Sequence, residues 1–266
     1  MKKPRIIISL CLAITIIFSS TIYVNATPLL NDQSIVQSLN SDELKAYQKS
    51  IDGTTDDPDF NYSHIINEAN MDINTNVKGM KLIDSEYQTT SILQSNSGNV
   101  KNYEAYIFVQ ETFKEEGGGI IPFATLIEED HDDSVSVRYV IKFNYDRIST
   151  PRSGMRPNYS EFKVVSTNSG VQVGKASIKQ RVWGTVYNTQ TGKSHASASY
   201  SRDVNITNPQ TGTDYNRVFT SPRHYYYDTI ATGQCGFGVI LTLHRANPNN
   251  YWLHSTGFLG HDGGLW

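Results

Sequence analysis

A lone cysteine, an acidic loop and two groups of aromatic residues are what this 266-residue chain offers as chemistry. It has two cysteines, Cys11 and Cys235. Cys11 lies inside an apolar leader that is expected to be removed, which leaves Cys235 alone and excludes an internal disulfide. A thiolate nucleophile needs a base nearby. His244, His254 and His261 follow Cys235 closely, so a cysteine-dependent hydrolase is one reading. The plainer reading is a small buried apolar residue, because Cys235 opens the apolar run Phe237-Gly238-Val239-Ile240-Leu241 with no cation beside it. The thiol is therefore expected to be inert.

The acidic loop is Glu128-Glu129-Asp130-His131-Asp132-Asp133. Oxygen ligands from Glu128, Asp130, Asp132 and Asp133 suit Ca²⁺, although the spacing is not that of an EF-hand. The same run also suits a solvated turn. No motif implies another cofactor. His254 with His261-Asp262 carries no metal-ligand spacing. Gly117-Gly118-Gly119 lacks the Gly-Lys-Ser/Thr end of a phosphate loop, and no serine-hydrolase elbow or His-Glu-x-x-His helix is present.

The aromatic groups are Tyr225, Tyr226 and Tyr227, and Tyr251 with Trp252. Rings left wet on a β surface stack on sugar faces or anchor protein interfaces. Three consecutive tyrosines on a strand send at least one ring outward. These five residues are the candidate ligand-binding set. The competing reading places them in the core, since aromatic residues favour strands.

Positioning these groups falls to strands. Val135, Val137, Tyr139, Ile141, Phe143 and Tyr145 alternate with Ser136, Arg138, Val140, Lys142, Asn144 and Asp146, which predicts one buried and one mostly wet face. Residues 175–206 read as a hairpin turning through Asn188-Thr189-Gln190-Thr191-Gly192-Lys193. Further strands read at 103–112, 120–127, 162–166, 237–244 and 251–258. The fold class is all-β, an antiparallel sandwich with a barrel as the alternative.

The domain organisation follows from composition. Residues 1–26 read as a secretory signal peptide, with Lys2, Lys3 and Arg5 before an apolar run and Val24-Asn25-Ala26 at the cleavage point. Its short basic start suits a bacterial source. Residues 27–100 form an acidic polar extension or propeptide. Within 27–75 there are nine acids against Lys45 and Lys49. One short helix is expected after a Ser41 cap, and a second near 64–71. Little packed core is expected before residue 95 or so, which would make that stretch dispensable. Residues 101–266 form the β domain.

Without the signal the chain holds 20 basic and 26 acidic residues, a net charge of −6. That balance argues against nucleic acid as a partner. The leading expectation is a secreted, extracellular, non-enzymatic binding protein for a glycan or a cell-surface protein. The alternatives are a pore-forming toxin that uses the hairpin 175–206, and the cysteine hydrolase. A membrane partner belongs to the pore-forming alternative alone.

Overall fold

The computed structural model describes residues 33–58, 63–67, 80–115, 135–149, 153–168, 171–218, 225–228, 234–245 and 251–259. The signal segment, the Ca²⁺ candidates Glu128, Asp130, Asp132 and Asp133, and the strand expected at 120–127 lie outside them. Two helices come first, α1 (Gln33–Ser38) and α2 (Ser41–Ile51). Eleven strands follow: β1 (Ser63–Asn67), β2 (Met80–Ser97), β3 (Val100–Glu115), β4 (Val135–Ile148), β5 (Gly154–Thr167), β6 (Val171–Asn188), β7 (Lys193–Thr207), β8 (Tyr215–Val218), β9 (Tyr225–Asp228), β10 (Gln234–Arg245) and β11 (Tyr251–Leu259). No described helix is long and apolar enough to cross a membrane.

The fold is all-β and antiparallel. The strands join one open sheet in the order β1-β11-β10-β6-β9-β5-β4-β3-β2, with β7 on β6 and β8 on β5. β10 and β9 lie one after the other along the same side of β6, with β7 on its opposite side, so the sheet branches at β6. Its strands share one core. Ile107 and Val109 of β3, Ile141 and Phe143 of β4, Phe162 of β5, Ile178 and Val182 of β6, and Leu241 of β10 share that core.

Period two set these strands correctly, but the second face of β4 is not wet. Val140, Lys142, Asn144 and Asp146 are all buried. The cover comes partly from the acidic N-terminal segment, so the expectation of little packed core before residue 95 is corrected at α2 and β2. Tyr47 of α2 packs edge-on against Phe108 of β3, with centroids 4.9 Å apart. The helix begins one residue earlier than expected. Asn40 Oδ1 accepts from the N–H groups of Asp42 (3.1 Å) and Glu43 (2.9 Å), while Asn40 N–H donates to Glu43 Oε2 (2.9 Å). That reciprocal box caps the helix at Asn40 and leaves Ser41 as its first residue. The helix expected at 64–71 is instead the strand β1 over its first part, paired with β11.

Candidate functional site

Polar side chains gather at several places among the described residues, and two of these bear on function. The first joins the acidic segment to the sheet. Glu43 is fully buried between two lysines of adjacent strands. Lys142 Nζ lies 2.8 Å from Glu43 Oε1, and Lys163 Nζ lies 2.7 Å from Oε2. Lys142 also pairs with Glu161, directly opposite it in the β4–β5 ladder. Asp214 stands further off, at 3.6 Å from Lys142 and 3.8 Å from Lys163. Burial alone would raise the Glu43 pKa. The hydrogen bonds from Lys142, Lys163 and the Asn40 N–H override it and hold the carboxyl below its ordinary value. Burial alone would likewise lower Lys142, but its bonds to Glu161 and Glu43 drive it up.

Glu43, Glu161 and Asp214 bring three carboxylates within 4.8 Å, a spacing that suits a cation. The two ammonium groups already stand among them. The arrangement is an ion network that docks a helix.

The segment then crosses the edge of β2 to the other face. Asp57 is buried there, accepting from Tyr145 Oη (2.7 Å) and facing Arg147 Nε (3.1 Å). Between the two acids, residues 54–57 run along β2. Thr90 Oγ1 donates to Thr54 O (2.8 Å), and Asp56 N–H donates to Ser91 O (3.1 Å). The acidic segment is thus a clasp, with one buried carboxylate on each side of the strand it grips. Composition marked this segment only as acidic and polar. Nothing local could have revealed two partners about a hundred residues downstream.

The second arrangement is a cleft of about 270 Å³ where β5 ends and β6 begins. Thr167, Gln172, Asn208, Gln210 and Thr211 line it with amides and hydroxyls, and Val164, Val171, Val173 and Pro209 supply apolar wall. Among the described residues, no ionisable side chain lines it. Its loop is anchored on both sides, since Asn208 N–H donates to Gly174 O and Gly212 N–H to Val164 O, each at 2.8 Å. Asn208 takes a left-handed backbone, φ 48°, which Asn tolerates better than most residues. Gly174 is skipped at the β6–β10 bulge, and a Cβ there would meet His244 Cδ2 at 2.9 Å. Tyr215 Oη accepts from Gln210 N–H at 2.8 Å and fixes the loop tip. Sequence reasoning missed this cleft. Its residues read as ordinary turn formers, and only the β5–β6 geometry brings them together.

Of the aromatic candidates, the three tyrosines of β9 do not form a bare surface. Tyr226 and Tyr227 are buried and Tyr225 is half-buried. β9 bridges β5 and β6, which turns Tyr227 into the core. Tyr226 lies under the Arg156 guanidinium, 5.2 Å from the ring centroid, and burial pushes its phenol up. Tyr251 and Trp252 pair with His244 and Leu243 along β11, but their side chains lie outside the described set. Cys235 stands opposite Val182 of β6.

No family model, characterised protein or solved structure matches this chain.

Proposed function

We propose that the protein is a secreted, non-catalytic recognition protein whose cleft takes a neutral, polyhydroxylated ligand such as a segment of glycan. The observation that carries this reading is the lining of the cleft. Five amide or hydroxyl side chains surround an apolar wall, with no ionisable side chain among them. Amides donate and accept at fixed angles, which suits vicinal hydroxyls, and apolar wall suits the C–H face of a sugar ring. A charged ligand would find no counter-charge there. The charges of the clasp network are mutually paired, which supports recognition over catalysis.

Calorimetric titration with uncharged cell-wall oligosaccharides tests the proposal. Gln172→Ala and Asn208→Gly should each weaken binding about fivefold, the loss of about one hydrogen bond at about 1 kcal/mol. Glycine keeps the left-handed backbone at 208, so the melting temperature should hold there. Unchanged affinity in both variants would move the site elsewhere.

A second reading is supported by the β6–β7 hairpin. Its strands are 18 and 15 residues long, beyond the roughly 9–11 that a tilted membrane strand needs. Dye release from liposomes favours this pore-forming reading, and intact vesicles favour recognition.

A further inference from the structure

The middle of β2 carries an unprotected sequence on an edge strand. Residues 87–97, Tyr-Gln-Thr-Thr-Ser-Ile-Leu-Gln-Ser-Asn-Ser, include no charged side chain. Among the described strands, β2 pairs with β3 alone. Natural edges are usually blunted by charge, proline or a cover, because open backbone groups invite another strand. Here the cover is the clasp. Ser91 turns both backbone groups outward, where Thr55 Oγ1 accepts its N–H (3.2 Å) and Asp56 N–H donates to its carbonyl (3.1 Å). The Leu93 N–H, also outward, donates to Asp56 Oδ2 (2.9 Å). These are the bonds that an added strand would make. Three of the large apolar side chains left exposed, Ile83, Tyr87 and Leu93, belong to this same strand, and Leu44 belongs to α2 of the clasp.

We propose that residues 54–57 are a guard on β2, and that lifting the clasp lets this edge pair antiparallel with β2 of a second copy, about a two-fold axis at Ser91. A residue with both backbone groups outward is the one that can face its own copy across such an axis. The register then sets Thr90 against Ile92 and Thr89 against Leu93, up to the irregularity at Gln94. No like charges meet, and β-prone neutral side chains fill the centre. Pairing of identical edges closes as a dimer and does not propagate. Residues 54–56 are exposed and reach β2 through hydrogen bonds, which suits them to release, while Glu43, Ala46, Tyr47 and Asp57 are the buried anchors on either side. When Glu43 leaves, Lys142 keeps Glu161. This self-pairing is independent of ligand recognition at the cleft.

The test uses the full mature chain with Glu43→Gln and Asp57→Asn combined, which removes both buried charges of the clasp. Sedimentation velocity over a concentration series should show a monomer for the parent and a monomer–dimer equilibrium for the variant. Hydrogen exchange should find the Ser91 and Leu93 amides fast in dilute variant and protected again when it is concentrated. Thr55→Cys with Ser91→Cys in the same background, and with Cys235→Ser, should lock the guard in place, since the two hydroxyl oxygens lie 2.6 Å apart. The oxidised, locked chain should return to monomer. A variant that stays monomeric at every concentration with those two amides exposed would overturn the proposal. So would loss of protection throughout β3 and β4, which would make the clasp part of the core. As a milder opening, Asp56→Ala removes only the acceptor for Leu93 N–H, and it should give a weaker dimer in the same direction.

Discussion

Two long strands of this sheet end at edges, and the edges are managed in opposite ways. β7 pairs only with β6 among the described residues and carries its own protection. Lys193, Arg202 and Asp203 lie along it, between serines. Asp203 is matched by Arg181 at 2.6 Å and by Lys179 at 3.7 Å on the neighbouring strand. β2 has a neutral middle and relies on a segment from elsewhere in the chain. A charged edge resists pairing at no cost to other residues, but it is committed. A guarded edge can change state, because the guard is a separate element with its own free energy of docking. Ion pairing is worth little on the β7 side, in water, whereas in the clasp removing one partner of the dry Glu43 pairs leaves a buried charge uncompensated.

The largest test of that contrast is Glu43→Ala. It leaves Lys163 buried without its nearest carboxylate, and breaking a buried pair on one side costs about 3–5 kcal/mol. Urea denaturation should show a loss of this size. A loss below about 1 kcal/mol would mean that the clasp contributes little and that β2 is as open as β7.

Acid should act through the same residue. The folded Glu43 pKa lies below its ordinary 4.5, because Lys142, Lys163 and the Asn40 N–H favour the charged form over the burial penalty. The stabilisation it brings is therefore full above its unfolded value and is lost as pH falls through the lowered folded value. Unfolding free energies measured from about pH 7 down to about pH 3 should fall for the parent, and should fall less steeply for Glu43→Gln. Equal slopes would remove Glu43 from the acid response.

A smaller effect is expected at the helix cap. Asn40→Ala deletes the acceptor for two N–H groups at the start of α2 and should cost about 1 kcal/mol. Amide exchange should speed up at Asp42 and Glu43 while β7 keeps its protection. If the β7 amides accelerate equally, clasp and hairpin unfold as one unit and the contrast between the edges is lost.

The same contrast explains what could be read from the sequence. β4 and β6 alternate because one face of each enters the shared core, so Ile141, Phe143, Ile178 and Val182 announced themselves. β2 did not, because it is covered by a polar clasp, and Gln88, Thr90 and Ser91 meet Ser50, Thr54 and Thr55 where a core strand would meet leucines. The wet face assigned to β4 failed for a related reason. Lys142 is opposite Glu161 and under Glu43, a partnership between residues far apart in the chain that no local pattern encodes. Asn40 and Glu43 were within reach of local reasoning, since the capping box is a pair of residues three positions apart, but Ser41 offered a competing cap one position later. At β9 three tyrosines on one short strand suggested a wet ring, yet β9 is squeezed between β5 and β6, and Arg156 lies over Tyr226.

The smallest expected effect completes the comparison from the β7 side. Asp203 is half-exposed, and its two partners Lys179 and Arg181 are themselves partly in water. Such pairs gain little Coulomb energy in high dielectric and lose side-chain entropy on pairing, so the net is near zero to about 1 kcal/mol. Asp203→Ala should shift the urea midpoint slightly, and the shift should shrink further in high salt, where exposed charges are screened. The Arg181 guanidinium keeps its bonds to the carbonyls of Gln180 (2.9 Å) and Arg202 (3.1 Å), so its position should hold without the carboxylate. Removing the negative charge also leaves the edge more positive, with Lys193 and Arg202 unopposed. If charge is what keeps β7 from pairing, Asp203→Ala should remain monomeric. Replacing Lys193 and Arg202 with threonine should instead promote association that salt does not reverse. A Lys193→Thr, Arg202→Thr chain that stays monomeric would show that charge is not what protects this edge, and the comparison with β2 would have to be redrawn around strand shape.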